Sequence, residues 1–179
     1  MHKPDPNVAL AESAQTFHEL IGTGKVRHWA VSNFSAAQLS DLLSVCDKNG
    51  WSRPVAIQPT YSLLNRSIES DLLPLCVREQ IAVIPYRVLE GGLLTGKYQR
   101  GQEAPADSRQ REKPEWTLPL TDANFALLDQ IEAEAKSKGR SLMRHALQSL
   151  LEQPGVTSLV VGVKRIEQLE DLIAAVTIV

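Results

Sequence analysis

Amphipathic helical patterns alternate with short β-branched runs along this 179-residue chain, and this alternation constrains the fold more than any other feature. Leu10, Ala14, Phe17 and Ile21 share one helical stripe, and an apolar run follows at residues 26–31. Repeated helix and strand units of this kind favour parallel strands joined by helical crossovers. The sequence therefore predicts an α/β fold.

The pattern predicts about four parallel strands, which lie at residues 26–31, 55–58, 81–85 and 159–161. Helices are predicted at residues 8–23, 35–49, 68–79, 121–137, 141–150 and 166–176. Ser35 and Gln38 have the spacing of a capping box. The last helix carries an apolar stripe made of Ile166, Leu169, Ile173 and Val176.

Residues 99–119 interrupt this rhythm because they contain almost no apolar side chain except Trp116 and Leu118. We expect a mobile surface loop there. No other segment reads as a linker, so the chain is predicted to form a single domain over residues 1–179.

Composition narrows the classes of partner. The net charge is −2 without a block of like charges, which argues against a nucleic-acid groove or an anionic membrane surface. The length supports a core without disulfides or a bound metal. Cys46 and Cys76 lie in apolar helical stretches and are predicted to be buried thiols. With no long apolar run and no signal peptide, we expect a cytoplasmic protein with small-molecule or protein partners.

Polar and aromatic side chains follow the predicted strands, at the edge where parallel sheets bind ligands. Ser32, Asn33 and Gln58 could hydrogen-bond an amide group, and Tyr86 offers a flat face on which a planar ring could stack. The same residues would also be ordinary in loops.

Gly162, Lys164 and Arg165 come just before the last predicted helix. Two cations at a helix N-terminus favour a phosphate group. An equally good reading places both cations on a solvated face.

Six tracts together resemble the aldo-keto reductase family, in the family's own order and spacing and over nearly the whole chain. They are residues 24–27 (Gly-Lys-Val-Arg), 31–35 (Val-Ser-Asn-Phe-Ser), 58–62 (Gln-Pro-Thr-Tyr-Ser), 85–86 (Pro-Tyr), 92–98 (Gly-Leu-Leu-Thr-Gly-Lys-Tyr) and 162–169. The resemblance implies the C-terminal half of a (β/α)8 TIM barrel, whose complete form usually needs roughly 250 residues.

The resemblance also implies an oxidoreductase that interconverts carbonyls and alcohols with NADP(H). Carried over by position, the nicotinamide carboxamide would be bound by Ser32, Asn33 and Gln58, and Tyr86 would stack on the ring. The remaining cofactor contacts would be Arg87, Leu89 and Lys97 at the pyrophosphate, Lys164 and Arg165 at the ribose 2′-phosphate, Gln168 and Asp171 at the adenosine end, and Gly162 just before the last helix. The loop at residues 99–119 would be a candidate lid.

The family's catalytic Tyr, Lys and Asp have no counterpart in this chain, and only His2 matches the family's carbonyl-orienting His. We therefore expect that this chain alone does not reduce carbonyls. A small carbonyl compound would be its substrate only if an N-terminal half completed the barrel. Arg87-Val88, Leu172 and Ala30 replace the family's usual Ser-Pro, Asn and Gly. A second hypothesis is a non-enzymatic half-barrel module that binds nucleotide, associates with itself through open barrel edges, or pairs with a complementary half.

Overall fold

A computed structural model describes residues 1–177 of the protein. The chain divides into two compact units. The first unit comprises residues 1–60, 67–85 and 154–158, and the second comprises residues 61–66, 86–153 and, within the described chain, 159–177.

The first unit contains a parallel sheet of three strands with flanking helices. The strands are β1 (Ala30–Ser32), β2 (Ala56–Gln58) and β3 (Ala82–Val83), and they are hydrogen-bonded in that order. The helices are α1 (Leu10–Gly22), α2 (Ala36–Asn49) and α3 (Leu72–Glu79). This arrangement confirms the α/β class and is consistent with part of a (β/α)8 barrel.

The prediction of a fourth strand at residues 159–161 is wrong, since that segment forms no strand. A single parallel bridge joins Val83 to Val156 instead, with the Val83 amide donating to the Gly155 carbonyl at 2.9 Å. A strand requires a hydrogen-bonded ladder, and β3 offers only two residues to pair with. Apolar content at residues 159–161 therefore does not suffice for a strand.

At the opposite edge of the sheet, β1 also pairs with one residue, Met1. The Met1 amino group donates to the Ala30 carbonyl at 2.6 Å, and the Met1 carbonyl accepts from the Ser32 amide at 2.9 Å. These two bonds flank Val31 as a parallel neighbour would. They bring the N-terminal segment to the carboxyl end of β1.

Local signals explain where the helices of the first unit begin. The Ser35–Gln38 capping box is present at α2 and is confirmed in both directions. The helix predicted from residue 68 begins later than expected, because a short 3-10 turn at Ser67–Glu69 precedes α3. The carboxylate of Asp71 then accepts from the Leu72 amide and starts α3.

The second unit is helical within the described residues. Its helices are α4 (Arg109–Glu112), α5 (Asp122–Ser137), α6 (Leu142–Leu151) and α7 (Ile166–Val176), with 3-10 segments at Glu90–Thr95 and Pro114–Trp116. Thr121 and Ser141 cap α5 and α6 through their hydroxyls, which accept from the backbone amides of Asn124 and Arg144. The core is formed by Leu93, Leu94, Tyr98, Phe125, Leu128 and Ala146.

The segment 99–119 is less irregular than its composition predicts. It contains α4 and a 3-10 turn, and it buries the side chains of Ser108 and Thr117.

The apolar stripe of α7 exists as predicted but faces away from the core. Ile166 is 72% exposed, Leu169 47%, Ile173 55% and Val176 37%. Among the residues of α7, Ala175 is buried, and its carbonyl accepts from the Gln148 side chain of α6 at 2.9 Å. The pattern of the stripe was correct, but the surface that would cover it is not found in residues 1–177.

Both cysteines are buried free thiols, which confirms the sequence prediction for Cys46 and Cys76. None of the helices within residues 1–177 has the length and apolar character needed to cross a membrane.

Candidate functional site

Polar side chains gather at the carboxyl ends of β1 and β2 in the first unit. The buried Ser32 hydroxyl donates to the Gln58 carbonyl at 2.6 Å, and it accepts from the Asn33 side-chain amide at 3.1 Å. The Asn33 backbone amide also donates to the Gln58 carbonyl at 3.3 Å. The three predicted carboxamide-binding residues therefore lie together.

Backbone geometry contributes to this cluster. Asn33 has a φ of 59°, in the left-handed region, which Asn tolerates better than most residues. The side-chain amide of Asn33 donates to the His2 carbonyl at 3.0 Å, so the N-terminal segment places His2 beside the cluster. The half-buried side chain of Gln58 makes no hydrogen bond with residues 1–177. Its amide is thus available to an external polar group.

The second unit contains the other nine predicted site residues, and the first group of these follows β3 in a strained turn. Arg87 has a φ of 58°, Glu90 of 44°, and Gly91 and Gly92 also have positive values. Residues other than glycine rarely adopt such values, and they persist where surrounding contacts hold them. Strain of this kind is concentrated at functional sites, which is consistent with the predicted role of this turn.

A buried carboxylate that sequence reasoning missed holds this turn. Glu90 is 2% exposed, and its Oε2 lies 3.1 Å from Arg87 Nη2. Its Oε1 accepts from the buried Ser62 hydroxyl at 3.0 Å. The spacing of Arg87 and Glu90, three residues apart, was the available signal, but a surface ion pair would have produced it equally well.

The positive φ values of the two glycines of the turn favour glycine, and a side chain at either position would also meet close neighbours. A Cβ on Gly91 would lie 2.2 Å from Thr117 Cγ2, and a Cβ on Gly92 would lie 2.4 Å from Lys97 Cε. Lys97 is therefore packed over the turn, with its Nζ 5.2 Å from the centre of the Tyr98 ring. Leu89 is half-buried and packs against the core of the second unit.

The remaining predicted residues lie at the start of α7. Lys164 donates from Nζ to the Asp107 carbonyl at 2.9 Å and also pairs with Glu112. Arg165 Nη1 lies 2.7 Å from Asp107 Oδ2. Both predicted phosphate-binding cations are thus paired with carboxylates from residues 99–119, which the sequence did not predict.

Lys164 and Arg165 lower the pKa values of the two carboxylates that they contact. The hydrogen bond from Arg165 lowers the pKa of Asp107, and the positive charge of Lys97 lowers it further. The hydrogen bond from Lys164 lowers the pKa of Glu112. Both carboxylates are therefore ionised at neutral pH.

Gln168 and Asp171 are on α7. The Gln168 side-chain oxygen accepts from the Lys164 backbone amide at 2.8 Å, so Gln168 orders the turn that carries the cations. Asp171 is exposed, and so is Gly162 before the helix. Within residues 1–177, no three His, Cys, Asp or Glu side chains are grouped as metal ligands would be.

A sequence model described as the aldo/keto reductase family matches residues 1–179. The chain belongs to the aldo/keto reductase family. The aldo-keto reductase YhdN of Bacillus subtilis is 32% identical over 173 residues, which are 96% of this chain and 50% of that protein.

Two solved structures extend the family likeness to the fold. The glycerol dehydrogenase AKR11B4 from Gluconobacter oxydans matches with a TM-score of 0.71 and 28% identity, over 97% of this chain and 56% of that one. An aldo/keto reductase from Klebsiella pneumoniae, solved in complex with NADP and acetate, matches with a TM-score of 0.70 and 25% identity, over 100% of this chain and 52% of that one. This chain thus spans about half the length of the relatives it matches.

Proposed function

We propose that this aldo/keto reductase chain binds NADP(H) as the C-terminal part of a carbonyl and alcohol oxidoreductase. The observation that carries the proposal is the gathering of Ser32, Asn33 and Gln58 at adjoining strand ends. The Klebsiella pneumoniae relative was crystallised with NADP, and that supports a nicotinamide cofactor here. NADP(H) would supply a hydride donor or acceptor when bound.

The proposal assigns parts of the cofactor to separate residues of this chain. The unpaired Gln58 amide, with Ser32 and Asn33, suits a carboxamide because amide groups both donate and accept. Lys164 and Arg165 suit the 2′-phosphate because cations form charge-assisted hydrogen bonds with phosphate oxygens. Tyr86 would stack on the nicotinamide ring, while Arg87, Leu89 and Lys97 would adjoin the pyrophosphate and Gln168 and Asp171 the adenosine.

We further propose that the chain alone does not reduce carbonyls. Proton transfer to a carbonyl needs an acid placed beside it. Two of the three tyrosines are buried in the fold and do not offer such an acid. Tyr61 is buried, and the buried Tyr98 donates its hydroxyl proton to the Gly91 carbonyl at 3.0 Å. His2 beside the polar cluster could orient a carbonyl but would lack an acid partner. A complementary N-terminal half would then be needed for turnover of a small carbonyl substrate.

Fluorescence titration with NADPH, together with an assay of NADPH oxidation by a small aldehyde, tests both statements. We expect binding without turnover, and weaker binding by Lys164→Met and Tyr86→Ala. Lys136→Met is the matched control, because Lys136 is an exposed lysine paired with Glu132 on α5. Turnover by the isolated chain would contradict the proposed inactivity, and equal affinities of wild type and Lys164→Met would contradict the assigned phosphate site.

A second candidate function is that of a module that associates with itself or with a complementary half. It is favoured by the exposed stripe of α7, because contiguous apolar surface on a helix indicates an interaction site. Light scattering across concentration tests self-association: we expect a mass above the monomer, and a lower mass for Ile166→Glu with Ile173→Glu. A clean wild-type monomer at all concentrations would contradict it.

The buried free thiols support the proposed cytoplasmic location.

A further inference from the structure

The cations at the start of α7 are already surrounded by oxygen atoms of this chain. Lys164 contacts the Asp107 carbonyl and the Glu112 carboxylate, and Arg165 contacts the Asp107 carboxylate. Both acids come from residues 99–119, either just before α4 or at its end. The three oxygen groups converge on two neighbouring cations.

This oxygen set resembles a phosphate group in chemistry. A phosphate monoester carries about −1.5 to −2 charges near pH 7 and presents three acceptor oxygens. Asp107 and Glu112 together present two negative charges, since both are ionised at neutral pH. The acids therefore satisfy the same cations with nearly the same charge as a phosphate would.

Neither acid is held in place by burial. The Asp107 side chain is 62% exposed, and that of Glu112 is 42% exposed. Exposed ion pairs are weak, because water solvates the separated charges almost as well. The buried anchors of the segment are other residues, Ser108 and Thr117. The two carboxylates can therefore leave the cations without disturbing the packing of the segment.

We propose that Asp107 and Glu112 occupy Lys164 and Arg165 in place of the cofactor's 2′-phosphate, and that this competition sets how strongly the chain prefers NADP(H) over NAD(H). The inference rests on the proposed cofactor site. It makes the two acids specificity-determining residues. A nucleotide with a 2′-phosphate must displace them, whereas one without it leaves the ion pairs intact. The acids thus weaken the very discrimination that the cations provide.

Calorimetric titration of the full chain with adenosine 2′,5′-bisphosphate and with adenosine 5′-monophosphate isolates this effect, because the two probes differ only in the 2′-phosphate. In Asp107→Asn with Glu112→Gln, we expect the bisphosphate to bind about three- to tenfold more tightly, the range set by surface ion pairs. The affinity for the monophosphate is expected to stay unchanged. Because both side chains are exposed, the fold should be retained, which a thermal melt checks.

The matched control is Glu103→Gln with Glu115→Gln, which removes two negative charges from the same segment. Glu103 pairs with Arg111, and Glu115 forms no ion pair within the described residues. Equal tightening in this control would overturn the inference by showing a general effect of charge. Unchanged or weaker bisphosphate binding in the Asp107 and Glu112 variant would also overturn it, the weaker result meaning that the acids close over the ligand.

Lys164→Met separates the inference from the function on which it rests. If this variant weakens bisphosphate binding while the acid-neutralised variant gains none, the cofactor site stands and the competition is refuted. If Lys164→Met leaves bisphosphate binding unchanged, the proposed phosphate site itself is wrong and the inference falls with it.

Discussion

Replacing Glu90 by Gln tests whether a buried ion pair holds the strained turn after β3. The substitution keeps the shape of the side chain and an oxygen that can accept from Ser62. It removes the charge that faces Arg87 Nη2 at 3.1 Å, and it directs an amide N–H toward a guanidinium that has only donors. The change is therefore confined to one interaction.

The expected loss lies between two limits. Removing one partner of a fully buried ion pair costs about 3–5 kcal/mol, whereas an exposed pair contributes at most about 1 kcal/mol. Arg87 is 33% exposed, so water screens the pair, and Glu90 Oε2 accepts no hydrogen bond in the described chain. We expect Glu90→Gln to lower the free energy of unfolding by about 2 kcal/mol and Tm by about 4–8 °C.

Urea unfolding followed by circular dichroism, in a double-mutant cycle with Arg87→Met, measures the coupling between the two residues. We expect a coupling energy of about 1–2 kcal/mol, because each single substitution already removes the pair. Glu132→Gln on α5 is the control. It breaks an exposed pair with Lys136 and should change the free energy of unfolding by less than about 0.5 kcal/mol.

The reasoning is refuted if the two substitutions are additive within about 0.5 kcal/mol. It is refuted equally if Glu90→Gln is as stable as the wild type. Either result would mean that the positive φ values of Arg87 and Glu90 are held by backbone packing rather than by charge.

Three further outcomes follow from single contacts. Ser35→Ala removes the acceptor for the Gln38 amide and should cost about 1 kcal/mol in urea unfolding, with Ser35→Asp retaining most of the stability. Gly91→Ala places a Cβ 2.2 Å from Thr117 Cγ2 and should cost at least about 2 kcal/mol; Thr117→Ser should restore part of that loss, and no rescue would contradict the proposed clash. Burial raises the pKa of Cys76 to about 11, so a thiol reagent at pH 8 should label Cys76 only after unfolding, and rapid labelling of the native chain would contradict its burial.

Signals contained within a few residues were read correctly from the sequence. Ser35 and Gln38 satisfy each other's backbone amides within one helical turn, so α2 begins where the sequence predicts. Cys46 on that helix is buried, as its apolar surroundings in the sequence predicted. Ser32, Asn33 and Gln58 were predicted to meet because parallel strands end at a common edge.

Features that depend on a distant part of the chain were not predicted correctly from the sequence. The apolar run at residues 159–161 reads as a strand, yet β3 offers only a single bridge, at Val156. The stripe of α7 has the period of a buried helix and is nevertheless exposed. The spacing of apolar residues shows which of them share one face of a helix or strand. Their burial requires a second surface, which the sequence pattern of that one element does not contain.

The amino-acid sequence by itself determined the family, the α/β class, the start of α2 and the residue types at the strand ends, because each is encoded in short-range spacing or in the order of tracts. Only the tertiary structure decided which charges meet. Glu90 reaches Arg87 and Ser62 through a strained turn, and Asp107 and Glu112 reach cations more than fifty residues away along the chain. Electrostatic pairing depends on distance in space, and the fold alone sets that distance.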